Sequence, residues 1–219
     1  MIRSFRTMSR GQYALAGLGT LLALAGYLTS PFARAGDKAG RSVTEKHWST
    51  AEEIQNRFPR SQHEEFMRKA IALSRTAGVE KRTGGVFGAV IVDRSGAIVG
   101  EGSNHVVSEC DPTWHGEMEA IRAACKRLKA LKLDGCVMYT SAEPCPMCLA
   151  TSYWAGLDGI VYGAKVEDSK QYGGFDDAFI YAEIQKPAAD RSIPQVPMLR
   201  GEAVQVWKEY ASKSGNVAY

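Results

Sequence analysis

The strongest constraint on the fold is an alternation of hydrophobic period between Ser61 and Ala164. Phe66, Met67, Ala70, Ile71 and Leu73 recur at helical spacing behind Ser61-Gln62-His63-Glu64, where a serine hydroxyl and a glutamate carboxylate suit a capping box. This helix is predicted to run to about Ala77 and to stop at Gly78. Val86 to Val92 and Ala97 to Glu101 are β-prone runs separated by the turn residues Asp93-Arg94-Ser95-Gly96, which predicts a hairpin. From His115 to about Leu131, Met118, Ile121, Ala124, Cys125 and Leu128 return at helical spacing. Lys126, Arg127, Lys129 and Lys132 load the end where a helix dipole favours cations. Val137 to Thr140 reads as a buried strand, Pro146 to about Ala155 as a helix, and Ile160 to Ala164 as a further strand. Such an order implies a mixed sheet packed between helices.

A chain of 219 residues that is 45% hydrophobic and 23% charged fits one globular domain, and excludes a disordered, collagen-like or multi-pass membrane protein. The formal charge of +3 is misleading. Residues 1–35 hold four cations (Arg3, Arg6, Arg10 and Arg34) and no acid, and residues 36–219 carry a net charge of −1. The concentrated basic face that a nucleic-acid partner demands is therefore not expected.

Arg3, Arg6 and Arg10 precede an uncharged stretch from Gly11 to Ser30 with an apolar centre at 14–28, and Ala33-Arg34-Ala35 supplies a small-x-small cleavage pattern. Residues 1–35 are read as a signal peptide, with an uncleaved anchor as the alternative. The mature protein is then periplasmic or secreted, with no stable membrane span after processing. Residues 36–60 are polar, contain Gly36, Gly40 and Pro59, and read as an arm or linker, which leaves the domain at 61–219.

Chemistry concentrates at two predicted helix starts. His115-Gly116-Glu117 opens one and Pro144-Cys145-Pro146-Met147-Cys148 the other. His115, Cys145 and Cys148 offer one imidazole and two thiolates, three of the four tetrahedral positions of Zn²⁺, which leaves the last for water. The amides at a helix start favour deprotonated sulfur. Glu117, two residues from a ligand, is placed to act as general base and then general acid on that water. Each half has a plainer reading: His-x-Glu is a common helix start, and Cys-x-x-Cys in an exported chain serves equally as a thiol-disulfide motif. Together, H-x-E with P-C-x-x-C is the zinc deaminase signature. Cys110, Cys125 and Cys136 read as filler or strand positions, and His47, His63 and His105 as surface or packing residues.

On these motifs the chain resembles the cytidine deaminase-like superfamily, and within it the bacterial guanine deaminases. Further segments carry the resemblance over roughly residues 61–219: Phe87-Gly88-Ala89-Val90-Ile91-Val92, Asn104, Tyr153-Trp154-Ala155, Gly174-Phe175-Asp176-Asp177-Ala178-Phe179-Ile180-Tyr181, Ile193-Pro194 and Tyr219. The resemblance implies a three-layer α/β/α sandwich with a mixed five-stranded sheet, one zinc, and a homodimer whose exchanged C-terminal segments cover the partner's pocket. It implies hydrolytic conversion of guanine to xanthine and ammonia. By position, Asn104 hydrogen-bonds the purine edge, Phe87 and Trp154 line the ring pocket, Asp177 accepts from the guanine edge and assists proton transfer, and Tyr219 closes the lid. The residues also allow other roles: Asn104 as a turn brace, Phe87 and Trp154 as core, and Asp176 or Asp177 as a helix cap. Deamination of another aminated heterocycle or nucleoside (ammeline, cytosine, a pterin, adenosine) stays open, as does a non-catalytic zinc or thiol-disulfide protein.

Overall fold

The computed structural model describes Lys46 and residues 48–216. The expectations for residues 1–45 and for Tyr219 lie outside the described residues. In chain order the elements are α1 (Ala51–Gln55), α2 (Arg60–Arg75), β1 (Gly88–Val92), β2 (Ile98–Ser103), α3 (Gly116–Leu128), β3 (Val137–Ala142), α4 (Pro146–Ala155), β4 (Gly159–Ala164), α5 (Val166–Gly173), α6 (Asp177–Gln185) and α7 (Arg200–Ser212). The strands form one sheet in the order β2-β1-β3-β4. β1 is antiparallel to β2 and β3, and β3 is parallel to β4 across the α4 crossover.

Alternate residues of the central strands build two cores. Ala89, Ile91 and Met138 face α3 and α4 with Ala120, Ile121, Ala124 and Leu157. Val90, Val92, Val137 and Tyr139 face the other side, against Ile54 of α1 and Phe66 of α2. The α/β/α layering is as the alternation implies. The hairpin also forms, with Asp93 Oδ1 accepting from the Ser95 and Ala97 amides at 2.9 and 3.0 Å.

The sheet has four strands rather than five. Beyond β4 the described chain is helical, and the stretch between α6 and α7 carries Pro187, Pro194 and Pro197, none of which has an N–H to give a ladder. The capping box at Ser61 is likewise absent. α2 begins at Arg60 behind Pro59, without a side-chain cap, and Glu64 pairs instead with Arg60 and Arg68 at 3.1 and 2.8 Å. Nor does Gly78 end that helix, which passes at Arg75 into a π turn over Thr76–Glu80.

A capping box exists one helix earlier, where Glu53 N donates to Thr50 Oγ1 and Thr50 N to Glu53 Oε2, at 3.1 and 2.7 Å. It starts α1, whose Ile54 is 6% exposed in the core. The described part of the stretch read as a linker is thus packed against the domain. Its anchor is Asp158, ahead of β4, which bonds Lys46 at 3.1 Å, Arg57 at 3.0 Å and the Gly135 amide at 2.9 Å. Burial alone would raise the Asp158 pKa. The Gly135 amide and the Lys46 and Arg57 cations outweigh burial and hold it below the usual carboxylate range.

One close approach positions the site. A Cβ on Gly100 of β2 would lie 2.3 Å from Ala120 O, and one on Gly102 2.1 Å from Gly116 O. Only glycine lets α3 settle this closely on the sheet, and that fixes where its first turn sits.

Asp158→Asn leaves Arg57 without a countercharge and Lys46 with only the exposed Asp134, and we expect it to cost up to about 3 kcal/mol of stability at neutral pH. Because the folded pKa is depressed, this contribution is complete above the unfolded carboxylate pKa and is lost as pH falls through the folded one. Denaturant unfolding from pH 7 down to pH 3 should show the gap between wild type and variant closing with acid.

Candidate active site

His115 and Cys145 are N-cap residues, both with extended backbone (φ −79° and −67°), and Cys148 is the third residue of α4. N-cap and N3 are the two positions that a capping box links through their backbone amides, and here both carry sulfur. Pro146 fills the first helical position, where no N–H is needed. His115 Nδ1 lies 3.5 Å from Cys145 Sγ and 3.6 Å from Cys148 Sγ, and the three ligand atoms all lie within 4.8 Å of one another. Tetrahedral zinc with ordinary Zn–S and Zn–N bonds separates N from S by about 3.6 Å. The three groups therefore fit a zinc ion without rearrangement.

Their electrostatics are those of a metal-ready pair. The Cys148 thiol donates to Cys145, and with His115 this lowers the Cys145 pKa to about 4. The same hydrogen bond, with burial, pushes Cys148 up. Hydrogen bonding to Cys145 also raises His115.

Glu117 is 2% exposed in the first turn of α3. Its Oε1 accepts from Thr140 Oγ1 of β3 at 3.1 Å, while its buried Oε2 has no hydrogen-bond partner. Burial raises its pKa. An unsatisfied buried carboxylate oxygen is costly unless something polar is to meet it.

Around this group stand several of the residues singled out in the sequence. Phe87 lies parallel to the His115 ring, with 6.4 Å between centroids and 5° between planes, and Phe175 meets Phe87 edge-on at 5.0 Å. Asn104 is 3% exposed, and its Oδ1 accepts from the Gly85 and Val106 amides at 3.1 and 3.2 Å. It does brace the turn, and that fixes its amide plane with the oxygen turned toward the backbone. The two aspartates divide the work. Asp176 caps α6 by accepting from Phe179 N at 3.3 Å, whereas Asp177 is half-buried, with its pKa raised by burial and by the nearby Cys145 charge. Trp154 is not brought to the group: it is 58% exposed, six residues or about 9 Å along α4 from Cys148. Tyr219 lies outside the described residues.

Three supporting residues have no role assigned by the sequence, although Phe175 and Tyr181 lie in a segment that carries the resemblance. Thr140 and Phe175 are named above, and Tyr181 donates to Pro144 O at 2.8 Å, tying α6 to the loop that carries Cys145. Burial pushes the Tyr181 pKa up to about 12. No spacing rule links these pairs, because they meet only across the fold.

Residues 60–164 match the family model described as the cytidine and deoxycytidylate deaminase zinc-binding region. A guanine deaminase of Bacillus subtilis is 48% identical over 154 residues, which cover 69% of this chain and 97% of that protein. The chain belongs to this deaminase family. The X-ray structure of guanine deaminase from Bacillus subtilis superposes with a TM-score of 0.62, covering 69% of this chain and 97% of that one. A tRNA-specific adenosine deaminase of Aquifex aeolicus is 37% identical over 92 residues, 42% of this chain and 58% of that protein. Zn²⁺ is the cofactor of this deaminase, and the imidazole and two sulfurs are the group present to hold it.

His115→Ala removes one of three protein ligands. Metal analysis of the purified variant should find it largely free of zinc, whereas wild type carries one zinc per chain.

Proposed function

We propose that this deaminase hydrolyses guanine to xanthine and ammonia. The observation that carries the reading is the buried Glu117, with one oxygen held and the other unpartnered, beside the His115, Cys145 and Cys148 group. The relative of 48% identity that spans almost its whole length supports guanine as the base.

When bound, zinc supplies a Lewis acid that lowers the pKa of a coordinated water to about 7. Glu117 Oε2 would take one proton from water and deliver it to N3, then take the second from the oxygen added at C2 and deliver it to the departing amine. A C–O bond forms at C2 of guanine, the C2–N bond breaks, and the nitrogen leaves as ammonia. Because Glu117 is excluded from bulk water, its proton goes to the substrate rather than to solvent. Guanine presents N1–H and its 2-amino group as donors beside O6 and N3 as acceptors. Asp177 accepts from the donor edge and assists proton transfer. Asn104, whose oxygen is already used by two backbone amides, offers its NH₂ to an acceptor. Phe87 and Phe175 form the apolar wall for the ring.

The working unit in this reading is a homodimer with exchanged C-terminal segments. α5, α6 and α7 bury no residue among those described, and Phe179, Ile180, Ile184, Val206 and Trp207 are all more than 40% exposed. Apolar surface on that scale calls for a partner, and a second copy supplies it. Covering by that copy also gives the exposed Trp154, and Tyr219 at the chain end, a pocket to close. The leader at 1–35 directs the protein to the periplasm or beyond. Among the described residues no helix is long and apolar enough to cross a membrane.

Zinc-loaded residues 36–219 should release ammonia from guanine, and Glu117→Gln should keep its zinc while losing about 10²–10⁴-fold in rate. Silence on guanine with release from cytosine, ammeline, a pterin or adenosine would replace the substrate. Silence on the whole panel would sink the reading.

A further inference from the structure

Thr140 stands where an apolar residue is expected. It is fully buried on β3, on the face that also carries Cys136 and Met138, and its antiparallel partner is Ala89. A hydroxyl withdrawn from water on such a face is costly unless it is hydrogen-bonded, and valine has nearly the same shape without that cost. Among the described residues the partner of the hydroxyl is Glu117 Oε1 at 3.1 Å.

That bond decides which carboxylate oxygen is available. With Oε1 held from the sheet side, the carboxylate plane is set and Oε2 is the oxygen left without a partner. We infer that Thr140 is a positioning residue, whose hydroxyl clamps Glu117 Oε1 so that Oε2 is the oxygen that carries the proton. The inference rests on the reading of Glu117 as proton carrier. It adds that the carrier needs a clamp from the central strand, placed by the register that sets Ala89 opposite Thr140. The hydroxyl's hydrogen bond goes to Glu117 rather than to a ligand atom, so its loss should not weaken binding of metal or base.

The test compares wild type, Thr140→Val and Thr140→Ser, each loaded with zinc, by metal content, thermal unfolding, and kcat and KM for guanine. Thr140→Val should carry as much zinc as wild type and stay folded at the assay temperature, although the unpartnered Glu117 Oε1 should lower its unfolding temperature by a few degrees. Its kcat should fall about 10- to 100-fold, the worth of a hydrogen bond to a charged group, with KM within about twofold. Thr140→Ser restores the hydroxyl and should return kcat to within about threefold of wild type. Unchanged kcat in the valine variant would overturn the assignment. So would a loss of activity that follows lost zinc or unfolding at the assay temperature and that serine does not restore. A wild type unable to deaminate guanine would overturn the functional reading itself, and the role of Thr140 with it, before any variant is compared.

Discussion

A carboxylate taken out of water is unstable as an anion unless donors or cations compensate it, and the site is organised around keeping Glu117 in that condition. One oxygen is satisfied by a hydroxyl from the central strand and the other is unpaired. The result is a base whose affinity for a proton is raised by its surroundings. It is held rigidly enough that the proton can travel only a short distance. The close seat of α3 on β2, permitted by Gly100 and Gly102, makes this possible. A methyl group at Gly102 would lift the first turn of α3, and one at Gly100 the turns behind it, and either would displace His115 and Glu117.

The ligand set depends on a second regularity, the placement of ligands at helix starts. His115 and Cys145 are N-caps without a conventional side-chain cap, and Cys148 follows one turn on. Amides that an ordinary N-cap oxygen would satisfy are left facing negatively charged sulfur, which helps to hold two thiolates close together. Both starts lie at the same end of the sheet, because β3 delivers the chain to Cys145 while β2 and its loop deliver it to His115. The fold converts two short local motifs, separated by about thirty residues, into a single coordination sphere.

What could be read from the sequence follows the range of the interactions. The hairpin, α3, α4 and the His-x-Glu and Pro-Cys-x-x-Cys motifs are local patterns, and their periods and caps specify them directly. The start of α2 departs from the local pattern because Glu64 has two competing arginines, Arg60 and Arg68, within one turn. Asp158 drew no attention, since its partners Lys46 and Arg57 are about a hundred residues away. For that reason the 46–60 stretch looked like a linker. The roles of Thr140, Phe175 and Tyr181 are hidden for the same reason, as each acts through a residue on another element. The four-stranded sheet corrects an expectation drawn from resemblance rather than from the residues, whose own pattern contains four strand runs.

X-ray absorption at the zinc edge of the purified protein tests most directly whether a single open site underlies all of this. We expect one zinc with two sulfur neighbours at about 2.3 Å and two lighter neighbours at about 2.0–2.1 Å, one from an imidazole and one from solvent. A closed shell of four protein ligands, or protein with no zinc and a disulfide between Cys145 and Cys148, would contradict it.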